Sequence, residues 1–332
     1  MKFGPVPVAD APGAILAHSV RLPDRRLRKG VLLQTEDVAA LRAAGLDTVV
    51  VARLDPDDID ENQAAAHLAA AIVPDAEAAA LRISAPFTGR VNLLAEGPGV
   101  AMVDAPALHR FNQIDPMITI ATVPPFQQMA PGGMVATIKI IAYGVARADV
   151  LQAADTARNA LRLARPVFGS AGLVITDIPG GPDNAKGIRS MRNRVQALGL
   201  DLAEVLTVPH HPEALAEAVR AVQGEIVMIL TGSATSDPED VAPSAVRLAG
   251  GQVDRFGMPV DPGNLLFLGT LPDRPVIGLP GCARAPALNG ADWVLARVAC
   301  GIPVSAEDIA GMGVGGLLKE IPSRPQPRRG SG

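Results

Sequence analysis

Apolar-rich segments of six to eight residues alternate with helix-period segments through the second half of the chain. "AGLVIT" (171–176), "LAEVLTV" (202–208), "EIVMIL" (225–230) and "RPVIGLPG" (274–281) predict strands. Between them, "AKGIRSMRNRVQALG" (185–199) carries Ile188, Met191, Val195 and Leu198 at helical spacing. "HPEALAEAVRAV" (211–222) predicts a helix with Pro212 in its first turn. "PEDVAPSAVRLAGG" and "PALNGADWVLARVACG" predict two more, closed by Gly250 and Gly301. Repeated strand–helix units imply an α/β fold, a mostly parallel sheet with helices on both faces. Ligands bind such sheets at the carboxyl ends of the strands.

Upstream the pattern changes. "RLRKGVLLQTEDVAALRAAGLDTVVVARL" predicts a short strand, a helix capped by Thr35 and ended at Gly45, and a strand at Val49–Val51. "ENQAAAHLAAAI" (61–72) predicts a helix, on which His67 reads as structural. Gly- and Pro-broken segments between 83 and 147 predict a small antiparallel sheet or barrel. "ADVLQAADTARNALRLARP" (148–166) predicts a connecting helix with Arg158, Arg162 and Arg165 on a solvated face. The expected organisation is a mixed α/β module (1–80), a β-rich domain (81–147), a linker helix (148–166), an α/β domain (167–321) and a Pro/Arg/Gly-rich disordered tail (322–332).

The 332 residues suffice for a good core. No apolar run approaches the length of a membrane span, and no leader pattern opens the chain, so the expectation is a soluble cytoplasmic protein without membrane contact. A net charge of −4 and 3% aromatic residues offer nothing to nucleic acid. Two cysteines cannot build a disulfide framework.

Chemistry concentrates at the strand ends. After the 225–230 run comes Thr231-Gly232-Ser233-Ala234-Thr235-Ser236, then Asp237, Glu239 and Asp240. Small hydroxyl residues let a ligand approach the backbone, and turns of this kind expose N–H groups to anions. Thr176 ends the first of these strands; "MPVDPGN" (258–264) and "LPGCARAP" (279–286) flank two others. Asp237 and Asp240 read either as carboxylates working beside a cation or as helix N-terminal caps. Lys186, Arg189 and Arg192 read as a charged outer helix face or as anion-binding cations. His210 and His211 start a helix without a metal role, and Trp293 reads as core.

Taken in order, these segments resemble the molybdopterin-binding domain shared by molybdopterin molybdotransferases and adenylyltransferases. "TVPHHPEALAEAV" (207–219) is similar to a run in that family, and "VIGLPG" (276–281) to another. The likeness covers about 171–301, and "KGVLLQTEDVAALRAAGLDTVVV" (29–51) resembles the module preceding this domain in molybdotransferases. The resemblance implies a three-layer α/β/α domain behind a β-rich N-terminal region, and a role in molybdenum cofactor biosynthesis. It implies Asp240 and Asp237 as catalytic residues, with Asp240 on Mg²⁺. It implies Thr176, Thr231, Gly232, Ser233, Ala234, Thr235, Pro262, Gly263, Asn264, Pro280, Gly281 and Cys282 around the pterin. Molybdopterin would be ligand or substrate, with Mg²⁺ and molybdate as accessories; a homodimer, and a nucleotidyltransferase or molybdoenzyme as partner, follow by the same route. Three departures stand out. Ser233 replaces a glycine, Asn264 replaces a lysine, and Cys282-Ala283 replaces Asn-Pro. The functions in contention are assistance in molybdate insertion or in hydrolysis of adenylylated molybdopterin, a non-catalytic pterin carrier, and a nucleotide-processing enzyme.

Overall fold

A computed structural model describes residues 1–318. The 322–332 tail lies outside the described residues. The chain divides into two compact units: residues 1–97, 101–125 and 131–163 form one, and 98–100, 126–130 and 164 onward the other.

In the first unit, strands Lys2–Pro7, Thr48–Arg53 and Ile15–Leu16 pair antiparallel, in that order. Helix Thr35–Ala43 packs over a small core built from Val8, Leu16, Leu33, Leu41 and Val51. The N-cap of that helix is Gln34 and not Thr35, because Asp37 reaches back to the Gln34 N–H at 3.1 Å. A four-stranded antiparallel sheet follows, in the order Ile118–Thr122, Met134–Ile140, Arg90–Ala95, Leu81–Ile83. Helix Glu61–Ile72, capped by Asp60, packs against it and leaves His67 exposed.

The helix expected over 148–166 is shorter. It spans Arg147–Thr156, and Leu161–Ala164 is a strand. Asn159 takes a φ of +58°, a left-handed conformation that asparagine tolerates and a helix does not. Leu161 and Leu163 are buried while Arg162 between them is exposed, which is strand periodicity.

The second unit holds a six-stranded sheet. Its elements are β1 (Ser170–Asp177), α1 (Asn184–Ala197), β2 (Asp201–Pro209), α2 (Pro212–Ala221), β3 (Ile226–Leu230), α3 (Val241–Leu248), β4 (Gln252–Phe256), β5 (Phe267–Thr270), β6 (Pro275–Leu279) and α4 (Gly290–Ala299). The strand order is β2-β1-β3-β6-β5-β4. β2, β1, β3 and β6 run parallel, and β5 and β4 complete the sheet antiparallel. Val174, Val227, Ile229, Val276 and Phe267 point to one face, where α2 and α3 cover them with Leu215, Val219, Ala245 and Val246. α1 packs on the other face, with Gly187 against Leu230.

The chain enters at β1, steps to β2 on one side, then crosses to β3 on the other. The gap between the carboxyl ends of β1 and β3 is therefore a topological switch point, where open α/β sheets bind ligands.

Candidate functional site at the strand ends

Seven polar or charged side chains are buried among the described residues: Thr176, Ser190, Arg194, Thr231, Thr235, Arg284 and Asn289. All belong to the second unit, at the carboxyl ends of β1, β3 and β6 or on the helices packed beside them. Burying such groups is costly unless they are hydrogen-bonded, so their partners define what the edge is built to hold.

Thr176, fully buried at the end of β1, spans the switch point. Its Oγ1 accepts the Gly232 N–H at 2.8 Å and lies 2.9 Å from His210 Nδ1. The hydroxyl's one proton needs an acceptor, since an unmade buried donor is costly. That makes Nδ1 the acceptor and leaves the imidazole proton on Nε2. His210, set aside from the sequence, is thereby joined to the site. Replacing Thr176 by valine keeps the shape and removes both contacts. We expect a loss of about 1–3 kcal/mol for the orphaned N–H, read by denaturant unfolding.

The loop after β3 is fixed from within. Thr231 Oγ1 donates to Ser233 O at 2.6 Å and lies 3.3 Å from Thr235 Oγ1. A Cβ on Gly232 would meet Thr176 O at 2.9 Å, so only glycine fits without a shift. Ser233 and Ala234 are left exposed at the crest.

Asp240 is the N-cap of α3. Its Oδ1 accepts from Val241 N–H at 2.7 Å and its Oδ2 from Ser236 N–H at 2.9 Å. Asp237 is exposed, and its Oδ1 accepts from Glu239 N–H at 2.8 Å. Both carboxylates thus shape the loop. Among the described residues no group of three or more His, Cys, Asp or Glu side chains is placed to hold a metal ion.

Two further loops border the edge. Pro262 O accepts from Gly290 N–H, at the start of α4, at 2.8 Å. A Cβ on Gly263, whose φ is +146°, would lie 2.9 Å from that same Gly290 nitrogen. Asn264 is exposed and its carbonyl takes the Met258 N–H at 3.0 Å. After β6, Pro280 is buried, Gly281 and Cys282 are exposed, and buried Asn289 donates its Nδ2 to Cys282 Sγ at 3.1 Å. The other thiol, Cys300, is buried and pushed up to about 11 by desolvation. One thiol per folded chain should therefore react with an aromatic disulfide reagent at pH 8, and two after unfolding. Substitution of Cys282 by serine should remove the fast one.

Two arginines organise the loop after β6. Arg194, in α1, pairs with Asp292 at 2.6 Å and donates to the carbonyls of Ala283, Ala285 and Ala287 at 2.9–3.0 Å and to the Ser190 hydroxyl. The inward face of α1 is accordingly Gly187, Ser190, Met191, Arg194 and Val195, with Ile188 half-buried and Leu198 beyond the helix end. Arg284 follows Cys282 by two residues. Its Nη2 donates to Thr231 O at 3.0 Å and its Nη1 to Asn184 Oδ1 at 3.1 Å. Burial lowers its affinity for the proton, with Asp183 acting the other way. Neither arginine was singled out by sequence. Lys186, Arg189 and Arg192 are exposed on α1, and Trp293 is half-buried rather than core.

Comparison with known proteins accords with this geometry. Residues 184–297 match the family model described as the probable molybdopterin binding domain, and residues 5–53 match a domain of unknown function. No curated protein matches the chain. Among solved structures, the molybdopterin biosynthesis moea protein from Pyrococcus horikosii is 14% identical, with 90% of this chain and 75% of that one covered, at a TM-score of 0.30. A molybdenum cofactor biosynthesis protein from Pyrococcus furiosus is 11% identical, with 91% and 66% covered, at 0.24. Such scores carry no argument about shared arrangement. Residues 184–297, which run from α1 into α4, are thus similar to the probable molybdopterin binding domain family.

Proposed function

We propose that the second unit binds molybdopterin in the crevice over the carboxyl ends of β1, β3 and β6, as a step in molybdenum cofactor biosynthesis. The observation that carries this reading is the placement of the buried polar side chains: all seven serve this one edge. Thr176, Thr231, Gly232, Ser233, Ala234 and Thr235 form the cradle for the anionic end of the ligand, through backbone N–H groups at a switch point. Pro262, Gly263 and Asn264 on one side, and Pro280, Gly281 and Cys282 on the other, border the pterin.

Of the two roles such a protein can have, carrier and catalyst, one observation favours the carrier. Each oxygen of Asp240 already accepts a backbone N–H. Its chemistry is that of a cap and loop clamp. A carrier would hand the pterin to a nucleotidyltransferase or a molybdoenzyme; molybdate insertion is the alternative.

Calorimetric titration with molybdopterin, with and without Mg²⁺, tests both parts. We expect binding by the wild type, its loss in Ser233→Trp, and its retention in Asp240→Ala, which should lose about 0.5–2 kcal/mol of stability with its cap. A Mg²⁺-dependent product that disappears in Asp240→Ala would replace the carrier by an enzyme. No binding by the wild type would move the reading to nucleotides.

A further inference from the structure

Only two of the buried polar side chains carry a formal charge. Arg194 has its counter-ion in Asp292. Arg284 is 8% exposed and has no carboxylate within ion-pair distance among the described residues; its partners are two carbonyls and an amide oxygen. Three of its five N–H groups are used in these bonds, and Nε is buried without a partner. Arg274 and Arg297 also bury a bare Nε, but Arg274 has Asp273 at 3.8 Å and Arg297 lies 3.9 Å over the Phe126 ring. A buried guanidinium stays charged and is costly to hold without a counter-charge.

The position of this charge is informative. Thr231 O ties it to the first residue of the cradle loop. Asp183 O and Asn184 Oδ1 tie it to the start of the fourteen-residue helix α1, whose dipole adds positive potential at the same place. Arg284 therefore lies beneath the crevice between the 231–236 loop and the first turn of α1. The lysine expected at 264 by family resemblance is Asn264, which carries no charge.

We propose that Arg284 supplies the counter-charge for a phosphate-type anion bound between the 231–236 loop and the N-terminus of α1. It acts as a positioning residue through the field it places under the cradle, while backbone N–H groups and the Ser233 hydroxyl make the contacts. This rests on the molybdopterin reading and names the part of that ligand, its phosphate, that the second unit is charged to hold.

The test is calorimetric titration of the full chain, as wild type, Arg284→Lys and Arg284→Gln, with molybdopterin, its dephosphorylated form and inorganic pyrophosphate. Thermal melts check that each variant is folded. The wild type should prefer the phosphorylated pterin by about tenfold or more. Arg284→Lys should keep most of that preference, and Arg284→Gln should lose it while still binding the dephosphorylated form. A structural role alone would injure both variants and both ligands alike, and that result overturns the proposal. So does a folded Arg284→Gln that retains the preference. If Arg284→Gln does not fold, the wild type and Arg284→Lys decide: no preference in the wild type, or none left in the lysine variant, overturns it. If the wild type binds neither pterin, the molybdopterin reading fails, and pyrophosphate still judges Arg284. Pyrophosphate binding that survives in the lysine variant supports the counter-charge; absence of binding overturns it.

Discussion

Arg194→Ala should destabilise the second unit by about 3–5 kcal/mol, the cost of breaking a buried ion pair from one side. Its side chain and that of Asp292 are 8% and 14% exposed, so water cannot replace the lost partner freely. The mutation also removes the guanidinium donors from the carbonyls of Ala283, Ala285 and Ala287, leaving the Ser190 hydroxyl to serve the first two. Those three residues belong to the segment after β6 that carries Cys282 and Arg284, so ligand binding should weaken with stability. Guanidinium chloride unfolding of the wild type, Arg194→Ala, Asp292→Asn and the double variant gives the measurement. The double variant should be less destabilised than the sum of the singles, because removing both charges leaves neither stranded. Strict additivity would show that the pair is not the source of the effect.

Gly278→Ala should cost about 3 kcal/mol, the upper end for overpacking a core. A Cβ at 278 would stand 1.9 Å from Cε1 of Phe267, on the neighbouring strand β5. Phe267 is itself buried among the residues under α2 and α3, and its ring cannot move aside without opening that core. The paired substitution Phe267→Leu with Gly278→Ala should recover part of the loss. A Gly278→Ala variant as stable as the wild type would mean that β5 and β6 can separate at no cost. That would contradict the close packing on which the sheet edge depends.

How far these features could be read from sequence depends on why each residue is buried. α2 and β3 were legible because their burial is hydrophobic: Leu215 and Val219 recur at helical spacing, and Ile226–Leu230 is an unbroken apolar run. α1 was legible as a helix, and Met191, Val195 and Leu198 are buried as their spacing predicts, but the polar members of its inward face were not. Ser190 and Arg194 point inward to serve carbonyls, and a hydrophobic pattern cannot register a polar residue buried for its partners. β4, "QVDRF", was missed because an edge strand with polar alternation looks like a loop. The strand Leu161–Ala164 was absorbed into a helix because Asn159 is a weak punctuation mark compared with proline.

The site shows the same division. Small residues at strand ends are visible in sequence, and Thr176, Thr231, Gly232 and Thr235 come together in space as hydrogen-bonded neighbours. The loops 262–264 and 280–282 are tied to α4 by the Gly290 N–H and Asn289. The engagement of Asp240 by two backbone N–H groups was open from sequence, since a capping acid and a metal-binding acid have the same letter. Arg284 lay inside a segment already noted for its Pro-Gly. A single arginine in a loop normally reads as solvated, and only its burial marks it out.

The bond from Gly232 to Thr176 joins residues 56 positions apart, and that from Arg284 to Thr231 joins residues 53 apart. The crevice is consequently made of non-local pairings, the kind that form late because loop closure must precede them. A chain with β6 still unpaired lacks the Arg284–Thr231 bond and the 280–282 wall of the crevice. Whatever occupies it recognises only the finished sheet and stabilises that sheet by mass action, by about 2.7 kcal/mol at a hundred times its Kd. Ligand supply would then govern how long the folded protein lasts as well as what it carries.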